Sequence, residues 1–301
     1  MDADLAALNK QAVQVARQYM GHVAWPTVML VIILLACLTT TLGLFAAGML
    51  PVWAAIPLVA AITYLSYTPL HEAVHGNISS GRASLTWLND ACGYLVAAIF
   101  MVPYASHKVE HFTHHRYTNQ PDKDPDYMVS DMARGPIWAM ITTLRFLWLQ
   151  NSFFFQNHWS KATSRERAIY LAEISVALGW RAVFIALSPQ AGTAVVIILG
   201  YLIGGFFTAY WFAYRPHVPY KEPARYRNTN SLIMPRWMKP IEWFWMGQNL
   251  HSIHHLFPRV PFYRYHALHR EIEPILRAHG TPIVGIFSRE PVEADANSSA
   301  R

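Results

Sequence analysis

Between Arg17 and Glu72 the chain has no Asp, Glu, Lys or Arg. An uncharged run of that length excludes an ordinary soluble domain, whose surface carries charge throughout. Cysteine is also scarce. The two present, Cys37 and Cys92, form no Cys-x-x-Cys pair, which excludes iron–sulfur clusters and zinc ribbons and leaves no disulfide framework. A Gly-x-Gly-x-x-Gly cofactor loop is missing too, as are internal repeats of useful length and low-complexity tracts. What fills the chain instead is apolar: 53% of its 301 residues are hydrophobic and 14% charged, so a bilayer is the expected solvent.

A helical crossing takes about 20 apolar residues. Two fit within the uncharged run, at about 27–48 and 52–70, turning at Gly48 to Pro51, and a hairpin of helices lets a backbone in lipid satisfy its own hydrogen bonds. A second pair fits at about 168–188 and 192–214, turning at Ser188-Pro189-Gln190. Of the 24 Lys and Arg, two precede the first span, nine lie between the hairpins, twelve follow Tyr214, and Arg181 alone sits inside a span, where it faces other helices or snorkels. The positive-inside rule then puts the N-terminus, residues 71–167 and the C-terminal region in the cytoplasm, with the protein integral to the cell's inner membrane. The net charge of +6 is thus a topology signal, with anionic headgroups as neighbours and nucleic acid not implied. Residues 1–25 carry Asp2, Asp4, Lys10 and Arg17 and read as no cleaved targeting segment. The apolar stretch 85–104 is interrupted by Asn89, Asp90, Gly93 and Pro103 and reads as an interfacial, half-embedded helix; a full crossing would carry the next histidines to the other side. The expected fold is all-α and integral to the membrane: four transmembrane helices in two hairpins under a cytoplasmic helical cap from 71–167 and 215–290. Residues 1–290 form one domain and 291–301 a disordered tail.

Nine of the 15 histidines fall in four places that this topology brings to one side of the bilayer: His71 and His75; His111, His114 and His115; His217; and His251, His254 and His255. His71 and His75 are one helical turn apart and share a face. In each His-x-x-His-His run the first ring lies three and four residues from an adjacent pair that point about 100° apart, so such a pair serves two neighbouring metals. Imidazole with little carboxylate or thiolate suits iron, copper or zinc alike. Nine ligands exceed the needs of one tetrahedral zinc or one haem and match two metals with five or so each. Glu72, Glu110, Asp122, Asp124 and Asp126 stand nearby as carboxylates to accept the other ring N–H groups, with Asn249 beside the last run. The Asp-rich run Pro121 to Asp126 also reads simply as a solvated turn. His22, His107, His158, His266, His269 and His279 are left outside the site as ordinary core or interface residues.

Two rival chemistries share these residues. His71-Glu72-Ala73-Val74-His75 satisfies the His-Glu-x-x-His pattern of zinc metalloproteases, in which the Glu is a general base, but that reading leaves the other clusters unexplained. A metal transporter would put ligands near mid-bilayer, whereas the four spans hold no histidine and almost no charge.

With these runs in view, the chain resembles the membrane fatty acid desaturase superfamily over about residues 55–280. Its first box, His-x(3 or 4)-His, matches His71 and His75; its second and third match His111, His114, His115 and His251, His254, His255; and a further ligand beyond the fourth span matches His217. Within the superfamily the chain looks most like the cyanobacterial-type β-carotene hydroxylases, through His114-His-Arg-Tyr-Thr-Asn-Gln-Pro-Asp-Lys-Asp-Pro-Asp-Tyr-Met-Val-Ser130, Phe153-Phe-Phe-Gln156, Arg215-Pro-His-Val-Pro-Tyr220 and Gly247-Gln-Asn-Leu-His-Ser-Ile-His-His-Leu-Phe-Pro258. Leu-Phe-Pro and Thr-Asn also occur in lipid desaturases, and the Glu in the first box stands where the hydroxylases tend to have Asp. The resemblance implies two iron ions, dioxygen as co-substrate and oxidation of a lipid C–H bond. The substrate it implies is a carotenoid, with a fatty acyl chain, desaturated or hydroxylated, as the alternative. Electrons must come from an external donor such as ferredoxin, and Arg225, Arg227, Arg236 and Lys239 form a basic surface for an acidic donor or for headgroups.

Overall fold

The computed structural model describes residues 2–288 and 290–292. Most of the expected 291–301 tail therefore lies outside the described residues. The chain begins with α1 (Asp2–Gln18), a helix for which the sequence reading placed no element. Its Ala12 and Ala16 are fully buried, in one apolar cluster with residues of a helix near the C-terminus, Tyr265–Ala278.

Two helices then grow out of the uncharged run: α2 (Trp25–Ala46), with Pro26 in its first turn where no N–H is needed, and α3 (Val52–Val74). After α4 (Thr86–Phe100) and α5 (Tyr104–Tyr117), a 3-10 stretch at Pro125–Arg134 leads to α6 (Pro136–Asn157). A capping box between Thr163 and Glu166 starts α7 (Ser164–Leu187), and α8 (Thr193–Thr208) follows. Four helices are long and apolar enough to cross a membrane: α2, α3, α7, and α8 with its continuation to His217. They match the four expected spans to within a few residues. Their outward apolar side chains, Leu178, Val183 and Ile198 among them, are about half exposed, as lipid-facing residues are. The connections at 47–51 and 188–192 meet, with the Gln190 amide donating to the Ala46 carbonyl at 3.2 Å.

Helix α8 packs closely on α3. Gly200 and Gly204 lie four apart on one face, and a Cβ on Gly204 would stand 2.7 Å from the Ala60 carbonyl oxygen and from Thr63 Cβ. Small residues at this spacing let two helices approach within lipid, where no hydrophobic force drives them together. The contact sets the relative height of the two helix ends that carry His71 and His217.

Helices α4 and α5 meet at a bend of 95° at Met101 to Pro103, and together they are also long and apolar enough to make a fifth, broken span. A bend frees backbone groups that must be satisfied. Both sets are met from α7. Arg181 donates to the Ala98 and Ile99 carbonyls at 2.9 and 2.6 Å, closing the end of α4. Glu173, two turns earlier, accepts from the Tyr104 and Ala105 amides at 2.6 and 3.2 Å, closing the start of α5. The span charge that the sequence left facing helices or lipid is therefore buried against protein.

The C-terminal part departs from an all-α fold. A short parallel pair, β1 (Ser231–Ile233) and β2 (Ile283–Gly285), aligns Ser231 with Ile283 and brackets the 3-10 stretch Arg236–Trp245, α9 (His251–Leu256) and α10 (Tyr265–Ala278). The Leu232 amide donates to the Asn249 carbonyl at 2.7 Å, so the strand fixes the residue just ahead of α9.

Two outcomes follow from these contacts. Gly204→Leu should destabilise the protein by about 1–3 kcal/mol through overpacking, read as a lower midpoint of unfolding in detergent, with metal occupancy falling as α3 and α8 separate. Glu173→Ala should remove the cap of α5 at about 0.5–2 kcal/mol, while Glu173→Gln, which keeps an acceptor, should fall between it and wild type in the same measurement.

Candidate metal centre

Four separate elements deliver the histidines. His71 sits in the last turn of α3 and His75 caps it. His111, His114 and His115 lie on α5, and His251, His254 and His255 on α9. His217 arrives through a local distortion: beyond Thr208 the helix widens into a π-helical turn at Ala209–Tyr214, then tightens into a 3-10 turn at Arg215–His217 containing Pro216. Such widened turns recur at functional sites because they re-aim the side chains that follow. Gly247, at φ 74°, turns the chain into α9, and a Cβ there would stand 2.7 Å from the Phe262 carbonyl oxygen.

The nine rings converge. One group joins His71, His75, His111, His115 and His254, whose nearest ring nitrogens all lie within 4.8 Å of one another, and a second joins His114, His217 and His255. Within the first, Nε2 of His115 is 2.8 Å from that of His254 and 3.0 Å from that of His111; His111 is 2.9 Å from His75, and His71 is 3.0 Å from His254. In the second, His114 and His255 approach to 3.4 Å. His251 stands beside this group, its ring centroid 4.8 Å from that of His255 and 5.1 Å from that of His217.

A metal fits these residues on three counts. A neutral imidazole has one donor and one acceptor nitrogen, so five Nε2 atoms aimed at one point cannot all be satisfied by each other. Among the described residues, both ring nitrogens of His217 are buried with no partner; one of the two carries a lone pair, which is costly to bury unless something such as a metal accepts it. Burial pushes the His251 imidazolium down to about 3, and burial together with neighbouring rings holds His254 and His255 well below the usual histidine range. They stay neutral, the form that ligates metal.

The carboxylates divide. Asp124 accepts from or faces His114 Nδ1 at 2.8 Å and also accepts from the Asn119 and Asp126 amides, so it fixes that ring. Asp126 lies 3.8 Å from the same nitrogen. Glu110 is buried 3.4 Å from His107, and Asp122 is exposed. Among the described residues Glu72 makes no hydrogen bond to a ring: it accepts from Thr27, Asn77 and the Phe262 amide at 3.2, 3.0 and 3.1 Å, lashing α3 to the start of the segment after α9. Asn249 donates to the Leu232 carbonyl and to Glu242. Three neighbours lay beyond sequence reading. The Tyr265 hydroxyl is 3.2 Å from His254 Nδ1. His107, left outside the site, is buried with its ring 5.2 Å from that of His111 and its Nδ1 2.8 Å from Gln150 Oε1. Only Gln150, a polar residue in an apolar helix, carried a signal. His158, His266, His269 and His279 belong to neither histidine group.

A polytopic membrane protein with a poly-histidine metal site is the class that this fold and geometry define. The fatty acid desaturase family model matches residues 47–287, and the chain belongs to that family. It is 25% identical over 273 residues to the omega-6 fatty acid desaturase, chloroplastic, of Arabidopsis thaliana, covering 80% of this chain and 58% of that protein. It is 24% identical over 264 residues to fatty acid conjugase FAC2 A of Calendula officinalis, covering 73% and 68%. Over 271 residues it is 20% identical to the sn-1 oleoyl-lipid 12-desaturase of Anabaena variabilis, covering 80% and 75%. The chain spans about three fifths of the length of the chloroplast proteins it matches.

Asp124→Ala should weaken metal binding by about 10–100-fold, the usual effect of removing a carboxylate behind a ligating histidine. Titration of the stripped protein with ferrous or cobaltous ion checks this, with His158→Ala, remote from both groups, expected to titrate like wild type.

Proposed function

We propose that this protein is a dioxygen-dependent diiron oxidase that attacks an unactivated C–H bond of a lipid, with β-carotene ring hydroxylation as the reaction. The convergence of nine buried or half-buried imidazoles in two adjoining sets carries this reading. His71, His75, His111, His115 and His254 would hold one iron, and His114, His217, His251 and His255 the other. Bound there, the pair would supply activation of dioxygen and removal of a hydrogen atom from the substrate.

The chain's own part is position. Asp124 and Tyr265 hold the rings of His114 and His254 through their far nitrogens. On the side toward the spans, Tyr67 stacks 5.6 Å from His71 and packs against Phe100 and Phe212, an apolar wall that keeps water from the centre. Whether the product would be an alcohol or a double bond would turn on where these side chains hold the substrate C–H bonds relative to the centre. Asp124, Asp126, Glu110 and Glu72 complete the support as ring orienters or as ties between elements.

The spans would form two hairpins in the inner membrane, with both termini and the helical cap in the cytoplasm, as the Lys and Arg distribution favours. Electrons would come from an external carrier such as ferredoxin. The stretch Arg215-Pro-His-Val-Pro-Tyr220 favours the carotenoid. The second reading, an acyl-lipid desaturase or hydroxylase, is favoured by the activities named for the relatives.

One comparison separates them: metal analysis of the purified protein with pigment and lipid profiles of a host making β-carotene, wild type against His114→Ala. About two irons per chain, with hydroxylated carotenoid in the wild type alone, is the expected result. Iron with unchanged carotenoids and altered acyl chains would move the substrate to the second reading. A single zinc and no oxidised lipid would refute the oxidase.

A further inference from the structure

A second polar concavity lies outside the histidine clusters. About 480 Å³ in volume, it opens between the stretch Arg236–Trp245 and α10. Arg236, Lys239, Arg270 and Arg277 line it against Glu242 and Glu273. Lys239 pairs with Glu242 at 2.9 Å and Arg277 with Glu273 at 2.7 Å. The positive excess therefore rests on Arg236 and Arg270, which have no carboxylate within salt-bridge reach among the described residues. His269 lines the same cavity, is 4% exposed, and has a buried Nε2 with no partner. A cavity with two unpaired guanidinium groups and an unsatisfied ring nitrogen suits an anion with several acceptor oxygens.

The neighbouring face of the same stretch says where that anion comes from. At three residues per turn, 236, 239 and 242 share one face, toward the cavity, while 237 and 243 share the next. That next face is apolar and open: Trp237 is 75% exposed and Trp243 66%, with Ile241 and Phe287 beside them at 47% and 66%. Ring contacts pin the stretch to the spans. Phe244 stacks on Tyr64 of α3 at 4.6 Å and lies 6.5 Å from Phe207 of α8, and Trp245 and Phe287 reach Trp211 at 5.1 and 6.4 Å. An amphipathic stretch held at the ends of transmembrane helices, with Trp on one side and Arg and Lys on the other, has the make-up of an element lying in the headgroup layer.

We propose that Arg236–Trp245 rests in the headgroup layer with Trp237, Ile241, Trp243 and Phe287 toward the acyl boundary, and that the cavity behind it binds the phosphate of an anionic phospholipid through Arg236 and Arg270. The assignment does not depend on the identity of the metal. An acidic soluble protein would also suit the charges, but the ties of Phe244, Trp245 and Phe287 to α3 and α8 favour the bilayer.

Full-length protein in mild detergent, titrated with phosphatidylglycerol or phosphatidylcholine and read by native mass spectrometry, tests the cavity. Phosphatidylglycerol should be retained at about tenfold lower concentration, and the preference should vanish in the Arg236→Ala, Arg270→Ala double variant while surviving in the corresponding double lysine replacement. A spin label at Trp237→Cys in a Cys37→Ser background, reconstituted in vesicles, should relax with dissolved oxygen and resist an aqueous nickel chelate. Equal retention of both lipids, or an unchanged preference in the alanine variant, overturns the headgroup site. Displacement of the lipid by equimolar inorganic phosphate overturns the lipid assignment in favour of a free anion. A label exposed to the nickel chelate overturns the membrane contact and gives the face to a soluble partner.

Discussion

Nine imidazoles gathered into two adjoining sets, their rings crowded together, are the constraint on which the rest of this structure rests. Such rings do not hold one another: each offers one donor and one acceptor, and the short Nε2 contacts around His115 leave several nitrogens unsatisfied. The scaffold must therefore keep four elements in register from outside. The glycine contact between α8 and α3 fixes the relative height of the helix ends that carry His71 and His217. Glu173 and Arg181 on α7 brace the corner from which α5 presents its three histidines. The Leu232 to Asn249 bond holds the entrance to α9. Each device satisfies a backbone or packing need, and each also helps to fix a ligand.

The spans and the histidine sets were legible because their signals are strong and additive. An uncharged run has few uses outside a bilayer, and three histidine boxes at helical spacing on one side of it converge by topology alone. What stayed hidden arises from tertiary context. The π-helical turn at Ala209–Tyr214 has no composition of its own; it lies just ahead of Pro216, which has no N–H to continue the helical ladder. Tyr265 reaches His254 only after α10 docks, and β1 pairs with β2 from 52 residues further along the chain. Helix α1 has few bulky apolar residues, and it packs on α10 through Ala12 and Ala16 with Leu8, Val13 and Val15 beside them. The 95° bend follows from Pro103 and the left-handed Met101, yet its survival depends on two charges in a different helix.

Glu72 shows how the same residues divide rival chemistries. A general base in a His-Glu-x-x-His protease needs an oxygen free to meet water. Here the carboxylate is fully buried and all its described contacts are to Thr27, Asn77 and the Phe262 amide. It acts as a tie between the start of α2, the end of α3 and the segment beyond α9. Removing it would loosen His71 through the helix rather than through any bond to the ring, which separates its role from that of Asp124.

The boundary between spans and cap then explains why the aromatic residues gather where they do. Tyr64, Tyr67, Phe212 and Phe244 form a continuous wall between the apolar helices and His71. Packing aromatic rings at this height lowers the dielectric beside the centre and strengthens each electrostatic contact within it. The same wall anchors Phe244, and through it the stretch whose opposite side carries Arg236 and Lys239. A single run of aromatic contacts thus links the metal centre to the headgroup level. A shift in how that stretch sits in the membrane would be felt first at Tyr64 and Tyr67, one helical turn or two from the first ligand.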